Sequence, residues 1–174
     1  DSLRDMFDRC RNWQEYVTDG GYPDCDMLPL GMLGKGFGNE RRTNFTTDEQ
    51  KTMLTLWCVF RSPLMLGAEL TKLDEETLKL LQKEPLYRML KETKKAREVY
   101  RDEEWIVWET TSPKKKYMAV FNLTSEDLQV PKNLEDEWIC AFEGGTELWS
   151  KEVVVLGQLP DVPSHGVILL CKDA

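Results

Sequence analysis

The chain has 174 residues, of which 41% are apolar and 10% aromatic, so it can form one ordinary domain or two small ones with a real core. Its 31 acidic and 23 basic side chains leave a formal net charge of −8, which argues against a nucleic-acid partner because phosphate binding needs a basic face. No run approaches the roughly 20 apolar residues of a membrane-spanning helix. We therefore expect neither a nucleic-acid partner nor a membrane partner.

The five cysteines are an odd number, and no two of them have the spacing of a metal-ligand pair. We expect them to be mainly small buried apolar side chains, with one disulfide left open as an alternative. The sequence implies no metal and no organic cofactor. The cysteines are Cys10, Cys25, Cys58, Cys140 and Cys171.

The first residues already have a helical pattern, without an initiator Met or a signal peptide, so we expect the chain to be cut from a longer protein. Residues 1–17 have apolar side chains at three- and four-residue steps, which predicts an amphipathic helix with a buried stripe that includes Cys10 and Trp13. Gly20 and Gly21 end it. A short segment, Tyr22–Leu30, then leads into a glycine-rich loop.

A second helix is predicted to start at Thr47, where acidic residues favour a helix N-terminus, and it is apolar almost all round from Met53 to Phe60. Such a helix packs on two sides. The apolar run Leu64–Gly67 predicts a short, fully buried parallel strand, and Asp74 is expected to cap a further helix. Residues 1–83 thus have the α–β–α–β–α order of an α/β barrel or a doubly wound sheet.

The pattern changes after Pro85. The charged stretch Lys91–Arg101 is expected to bridge two domains. Beyond it, apolar residues recur at every second position in short segments, which predicts an antiparallel β-sandwich. The expected domains are therefore residues 1–90 and 91–174. The predicted strands are Trp105–Thr110, Tyr117–Leu123, Leu128–Val130, Trp138–Phe142, Glu147–Ser150, Val153–Leu156 and Val167–Cys171.

The pair Asp24 and Asp26, separated by Cys25, is the main candidate for chemistry. On an extended segment the two carboxylates would share one face at a strand end, about 7 Å apart, where they could bind sugar hydroxyls, hold a cation or transfer protons. The alternative is a plain turn in which an Asp bonds its own backbone. The single histidine, His165, is expected to be structural.

The stretch Gly20–Gly31 resembles a signature of family 27 glycoside hydrolases, Gly-x-Trp-x-Asp-x-Asp-Met-Leu, at barrel strand seven. Arg42–Gln50, Met53–Trp57, Arg61–Gly67 and Leu73–Leu81 follow in the order and spacing of that family. Segments of the β-rich half resemble it too, among them Arg97–Tyr100, Ala119–Leu123, Glu147–Trp149 and Ser164–Gly166.

The resemblance implies the last part of a (β/α)8 TIM barrel, from helix six to helix eight, followed by a β-sandwich. It also implies a retaining glycosidase that removes terminal α-galactose, in which one carboxylate attacks and a second acts as acid and base. In that family the nucleophile lies on strand four and the acid/base Asp precedes the helix that opens this chain, so neither is assigned here, and Asp1 is not promoted to either role. The chain alone is expected to be inactive, to self-associate through its exposed half-barrel, and to come from an extracellular or periplasmic parent.

By the same resemblance, Asp26 and Met27 match the substrate-binding residues of the family, Asp24 is a supporting hydrogen-bond acceptor, and Tyr22 belongs to the pocket wall. Tyr22 stands where Trp is usual, Cys25 where a small residue or Pro is usual, and Met89-Leu90 about where many relatives have Asn-Gln. The change at Tyr22 predicts an altered pocket wall, and the change at Met89-Leu90 predicts a divergent inter-domain junction with an altered substrate choice.

Two alternatives remain open from the sequence. The first is a non-catalytic carbohydrate-binding or structural β-module that uses exposed aromatic side chains for stacking. Within the enzyme class, α-N-acetylgalactosaminidase and β-L-arabinopyranosidase activities are the alternatives. The tryptophans available for such stacking are Trp105, Trp108, Trp138 and Trp149.

Overall fold

The computed structural model describes residues 2–174, apart from the side chain of Phe37. Asp1 lies outside the described residues. The α-helices are α1 (Leu3–Trp13), α2 (Thr47–Phe60), α3 (Glu75–Leu81), α4 (Glu84–Glu92) and α5 (Lys132–Glu137). The strands are β1 (Met27–Leu28), β2 (Met32–Leu33), β3 (Arg41–Arg42), β4 (Met65–Leu66), β5 (Ala96–Arg101), β6 (Trp105–Thr111), β7 (Lys115–Asn122), β8 (Thr146–Glu147) and β9 (Val167–Asp173).

Helix α1 begins at a capping box, in which the Ser2 hydroxyl accepts from the Asp5 N–H and the Asp5 carboxylate accepts from the Ser2 N–H. The helix is shorter than the predicted 1–17, because a 3₁₀ turn at Gln14–Tyr16 follows it. Cys10 is buried as expected, whereas the prediction of a buried Trp13 is wrong, since this side chain is 55% exposed. Trp13 is the last residue of α1, and its ring contacts that of Tyr16 instead of the core.

Helix α2 is confirmed from Thr47 to Phe60, and every residue from Thr52 to Phe60 is buried. It contacts α1 and α4 as well as strands of the sheet, which is the two-sided packing that its continuous apolar surface predicts. Asp74 caps α3 as expected, with its carboxylate accepting from the Thr77 N–H.

Strands β1 and β4 form a parallel pair, with Met27 opposite Met65 and Leu28 opposite Leu66. The prediction that Leu64–Gly67 is fully buried is wrong, because Met65 is 52% exposed and Leu66 is half-buried. Within the described residues, only one face of this pair packs against the core, so side chains alternate between core and surface.

The charged stretch Lys91–Arg101, predicted as a bridge between domains, forms regular structure. Helix α4 ends at Glu92, and Ala96–Arg101 becomes strand β5 at the edge of the large sheet. Its charges are accommodated because Arg97 pairs with Glu109 on the neighbouring strand, and Arg101 pairs with Glu98 on its own strand. An edge strand rich in charge is also protected against pairing with other chains.

The β-rich half is an antiparallel five-stranded sheet in the order β5-β6-β7-β9-β8, which confirms the predicted antiparallel architecture. The predicted strand Trp138–Phe142 is wrong, since a 3₁₀ turn covers Ile139–Phe142. Ile139 and Phe142 are both buried, so the apolar spacing there is three rather than two. Predicted strands Leu128–Val130 and Val153–Leu156 contribute only isolated bridges, from Leu128 to Val162 and from Val153 to Thr146 of β8. The predicted strand Glu147–Ser150 is also wrong beyond Glu147, because a turn follows β8 there.

One core lies between the helices and the inner face of the sheet and joins both halves of the chain. Phe7 of α1 meets Phe121 of β7 at 4.9 Å between ring centroids, and Phe60 of α2 meets Trp108 of β6 at 6.0 Å. A second core covers the outer face beneath α5 and includes Trp105. Among the described residues, no helix combines the length and apolar character needed to cross a bilayer.

Candidate functional site

A cavity of about 830 Å³ opens between α1, α2 and the segment that precedes β1. All four residues predicted for substrate binding line it, and each of them is exposed: Tyr22, Asp24, Asp26 and Met27. Its volume suits a small-molecule ligand. The structure therefore brings the predicted residues together at one concave surface.

The segment carrying the two carboxylates is a turn held by its own side chains. Asp24 Oδ1 accepts the N–H of Asp26 at 2.8 Å, and Asp26 Oδ1 accepts the N–H of Met27 at 2.7 Å. Asp26 has a φ of 73°, in the left-handed region that Asp tolerates better than most residues. The predicted extended pair at a strand end is wrong, because these bonds bend the backbone before β1 starts; the turn alternative describes the backbone correctly.

The C-terminal end of α2 fixes this turn from behind. The indole Nε1 of Trp57 donates to the carbonyl of Asp26 at 2.9 Å, and the Ser62 hydroxyl accepts from the N–H of Cys25, also at 2.9 Å. The guanidinium of Arg61 lies over the ring of Tyr22 at 5.0 Å from its centroid. The sequence alone did not identify these supporting roles, because the partners lie more than thirty positions away along the chain.

Aromatic side chains border the cavity on the side of α1. Trp13 and Tyr16 are 55% and 67% exposed, and their ring centroids lie 5.4 Å apart. Tyr22 adds a third ring that is 49% exposed. Exposed rings beside carboxylates are a surface on which a sugar can pack its C–H face while its hydroxyls donate to oxygen.

The cavity wall also contains two thiols, Cys10 from α1 and Cys25 from the turn, with their Sγ atoms 3.8 Å apart. The hydrogen bond between the two thiols lowers the pKa of Cys25, and the same bond together with burial raises the pKa of Cys10. All five cysteines are free, and only Cys140 is exposed.

Neither a metal centre nor a histidine belongs to this cavity in the part of the chain that the structure describes. No group of three or more His, Cys, Asp or Glu side chains is placed to hold a metal ion there. His165 lies in a turn with a φ of 50°, where its carbonyl accepts from the Thr52 hydroxyl at 2.7 Å. Its contacts are those of a structural residue.

Comparison with known proteins shows which family has this arrangement. The solved structure of a β-L-arabinopyranosidase of glycoside hydrolase family 27 from Geobacillus stearothermophilus superposes with a TM-score of 0.82 at 38% identity, covering 97% of this chain and 41% of that one. α-Galactosidase D of Emericella nidulans is 26% identical over 164 residues, which are 90% of this chain and 24% of that protein. The chain is an α-galactosidase-like member of glycoside hydrolase family 27, over part of the family's length.

A second solved structure, of a candidate α-N-acetylgalactosaminidase from Bacillus halodurans, superposes with a TM-score of 0.79 at 33% identity and covers 97% of this chain and 43% of that one. No family model matches the chain. The chain spans less than half the length of each of these relatives.

Proposed function

We propose that this chain forms the sugar-binding wall of a retaining glycosidase that acts on terminal α-galactosides, and that residues outside the chain supply the nucleophile and the acid/base. The observation that carries the proposal is the convergence of Tyr22, Asp24, Asp26 and Met27 on one cavity bordered by exposed aromatic rings. Asp24 and Asp26 are the two carboxylates among the described residues that line it.

The bonds of these carboxylates favour binding over covalent chemistry. One oxygen of Asp24 and one of Asp26 are occupied by backbone N–H groups, which fix the carboxylates in the turn. Their second oxygens are oriented by that anchoring and can accept from sugar hydroxyls. Met27 and Tyr22 would supply apolar contacts. A retaining mechanism needs a free nucleophile about 5–5.5 Å from an acid/base carboxylate. We therefore assign neither of these roles to the anchored carboxylates Asp24 and Asp26.

We assign residues 1–90 to the last part of a TIM barrel and residues 91–174 to the β-domain behind it. The parallel register of β1 and β4, joined through α2, supports this assignment because consecutive barrel strands are parallel and linked by helices. A closed barrel needs eight strands. The remaining strands would come from outside this chain.

The same assignment implies an incomplete surface beside β1 and β4. In the described structure these two strands form a two-stranded sheet, and the neighbouring side chains of Met27 and Met65 are 44% and 52% exposed. Exposed strand edges and apolar side chains favour association. Light scattering should therefore show self-association of the isolated chain, and a compact monomer would contradict the half-barrel.

A second substrate class has specific support. The relative at 38% identity is a β-L-arabinopyranosidase. β-L-Arabinopyranosides share the ring configuration of α-D-galactopyranosides and lack only the hydroxymethyl group at C5, so the same carboxylates could hold both. α-N-Acetylgalactosaminides are a third class, for which the Bacillus halodurans relative is the support.

Two measurements test the proposal. Chromogenic glycosides of the three sugars should not be hydrolysed by the isolated chain, whereas galactose or L-arabinose should give a saturation-transfer NMR signal that Asp26→Asn weakens about tenfold. Asp161→Asn, at an exposed carboxylate in the β-domain, is the matched control. Turnover by the chain that Asp26→Asn abolishes would contradict the claim that the chemistry is supplied from outside.

The non-catalytic β-module has less support than the sequence suggested. Trp105 and Trp108 are buried and cannot stack on a sugar, while Trp138 and Trp149 are half-buried. Sugar binding that survives Asp26→Asn and disappears in Trp149→Ala would favour this alternative.

A further inference from the structure

We propose that Cys10 and Cys25 are an oxidisable dithiol that closes to a disulfide and thereby ties α1 to the turn carrying Asp24 and Asp26. This site concerns thiol chemistry and does not depend on the sugar-binding role proposed above. It goes beyond the expectation from the sequence that these cysteines are only small buried apolar side chains.

The geometry places the two sulfur atoms within reach of a bond. Their separation of 3.8 Å must close to about 2.05 Å in a disulfide, a movement that the side chains and a turn can absorb. The two cysteines lie fifteen positions apart and belong to different elements, so the bond would be a true cross-link. Both side chains line the cavity, which gives a small oxidant a route to otherwise buried sulfur.

The surroundings give the two thiols different roles. Cys25 is the attacking sulfur because its hydrogen bond with Cys10, with a further contribution from Ser62, lowers its pKa against the effect of burial. Cys10 keeps its proton longer and is the resolving sulfur. Cys58, by contrast, is fully buried, and burial raises its pKa to about 12.

A small-molecule disulfide is a suitable oxidant. The Cys25 thiolate attacks one sulfur of that molecule, which expels one thiolate and forms a mixed disulfide on Cys25. Cys10 then loses its proton and attacks Cys25 Sγ, which expels the second thiolate. The two protein thiols lose two electrons, and the small disulfide is reduced to two thiols that take up both protons.

Peptide mapping tests the bond directly. The chain is treated with oxidised glutathione, its remaining thiols are alkylated, and trypsin cuts it after Arg9, Arg11 and Lys35. The expected product is the dipeptide Cys10–Arg11 linked to the peptide 12–35, with two thiols lost per chain and both restored by a reductant. Oxidation should also raise the melting temperature by roughly 5–10 °C, because the bond closes a loop of about fifteen residues.

Variants make the test specific. Cys10→Ser and Cys25→Ser should each abolish the cross-link, and Cys140→Ser, at the exposed cysteine, should leave it unchanged. The wild-type map decides the question even where a variant folds poorly. A stable glutathione adduct on the peptide 12–35 with Cys10 still alkylated, or full alkylation of both cysteines after oxidation, would overturn the proposal. Loss of sugar binding without a change in this map would count only against the proposed function.

Discussion

The indole N–H of Trp57 donates to the main-chain carbonyl of Asp26 across 2.9 Å, so a buried residue of α2 fixes the backbone of the candidate sugar site. Trp57 is 3% exposed and packs in the core shared by the helices and the sheet. The left-handed φ of Asp26 costs conformational energy, which this bond helps to offset. Core packing and site geometry are therefore coupled through one side chain.

Replacing Trp57 by Phe should loosen the turn. The variant keeps an aromatic ring but removes the indole donor to the Asp26 carbonyl, so we expect a loss of about 1–3 kcal/mol in the free energy of unfolding and faster amide exchange at Asp26 and Met27. Trp149→Phe is the matched control, because it removes a bond to the Thr55 hydroxyl outside the cavity. Urea denaturation and hydrogen exchange measure both effects. Equal exchange at the turn in the two variants would contradict the coupling.

Local sequence signals predicted much of the helical half correctly. Acidic residues predicted the start of α2 at Thr47, its continuous apolar surface predicted its packing on two sides, and Asp74 marked the start of α3. These signals depend only on residues within one or two helical turns along the chain, so they can be identified from the sequence. The burial of Trp13 in α1 was predicted wrongly. Apolar spacing places this residue on the buried stripe, but the exposure of a side chain at a helix end depends on which surfaces surround that end.

The four candidate residues were selected from the sequence, but the backbone geometry that carries them was not. The resemblance selected Tyr22, Asp24, Asp26 and Met27, and the structure places all four at one cavity. The turn at Asp24 follows from bonds to its own backbone, which an i, i+2 pattern does not distinguish from a strand. In the β-rich half, three-residue spacing at Ile139 was mistaken for a strand.

Gly31 should be intolerant of a side chain. Its φ is +63°, and a Cβ there would lie 2.4 Å from the Thr77 hydroxyl oxygen, so Gly31→Ala combines backbone strain with a steric clash. We expect a loss of about 2–4 kcal/mol in the free energy of unfolding, measured by urea denaturation. Gly36→Ala is the control, because a Cβ there would meet no described atom within 4 Å apart from its own chain neighbours. Similar losses in the two variants would show that the Thr77 side chain moves aside in solution, so that the clash does not occur.

Asp74 should make the protein acid-sensitive. The Thr77 N–H bonds its carboxylate and, with the Arg42 guanidinium, holds the pKa of Asp74 below its usual range despite opposing desolvation. Because the folded pKa is the lower one, its contribution is complete above the unfolded pKa of about 3.9 and disappears as pH falls through the folded value.

Asp74→Asn, which keeps a helix-capping side chain, should therefore lower stability at pH 7 by a few tenths to 1 kcal/mol and match the wild type near pH 2. Thermal melts across pH 2–7 measure this convergence. Glu103→Gln, at an exposed carboxylate between β5 and β6, controls for loss of one negative charge. A constant gap between wild type and Asp74→Asn at every pH would contradict the assignment.

Asn122 should be the polar residue of the β-domain that tolerates substitution least. It is 2% exposed, its Nδ2 donates to the carbonyls of Glu126 at 2.7 Å and Val162 at 3.0 Å, and its Oδ1 accepts from the N–H and hydroxyl of Thr124. Asn122→Ala removes all of these bonds and leaves the Thr124 N–H without its acceptor, while the Val162 carbonyl keeps the bond from the Leu128 N–H and the Glu126 carbonyl keeps the bond from the Thr124 hydroxyl. We expect a loss of about 1–3 kcal/mol in the free energy of unfolding, measured by urea denaturation. Asn39→Ala, at an exposed loop position, should change stability by less than about 0.5 kcal/mol. A small loss in Asn122→Ala would mean that water replaces the amide, which the burial of this side chain argues against.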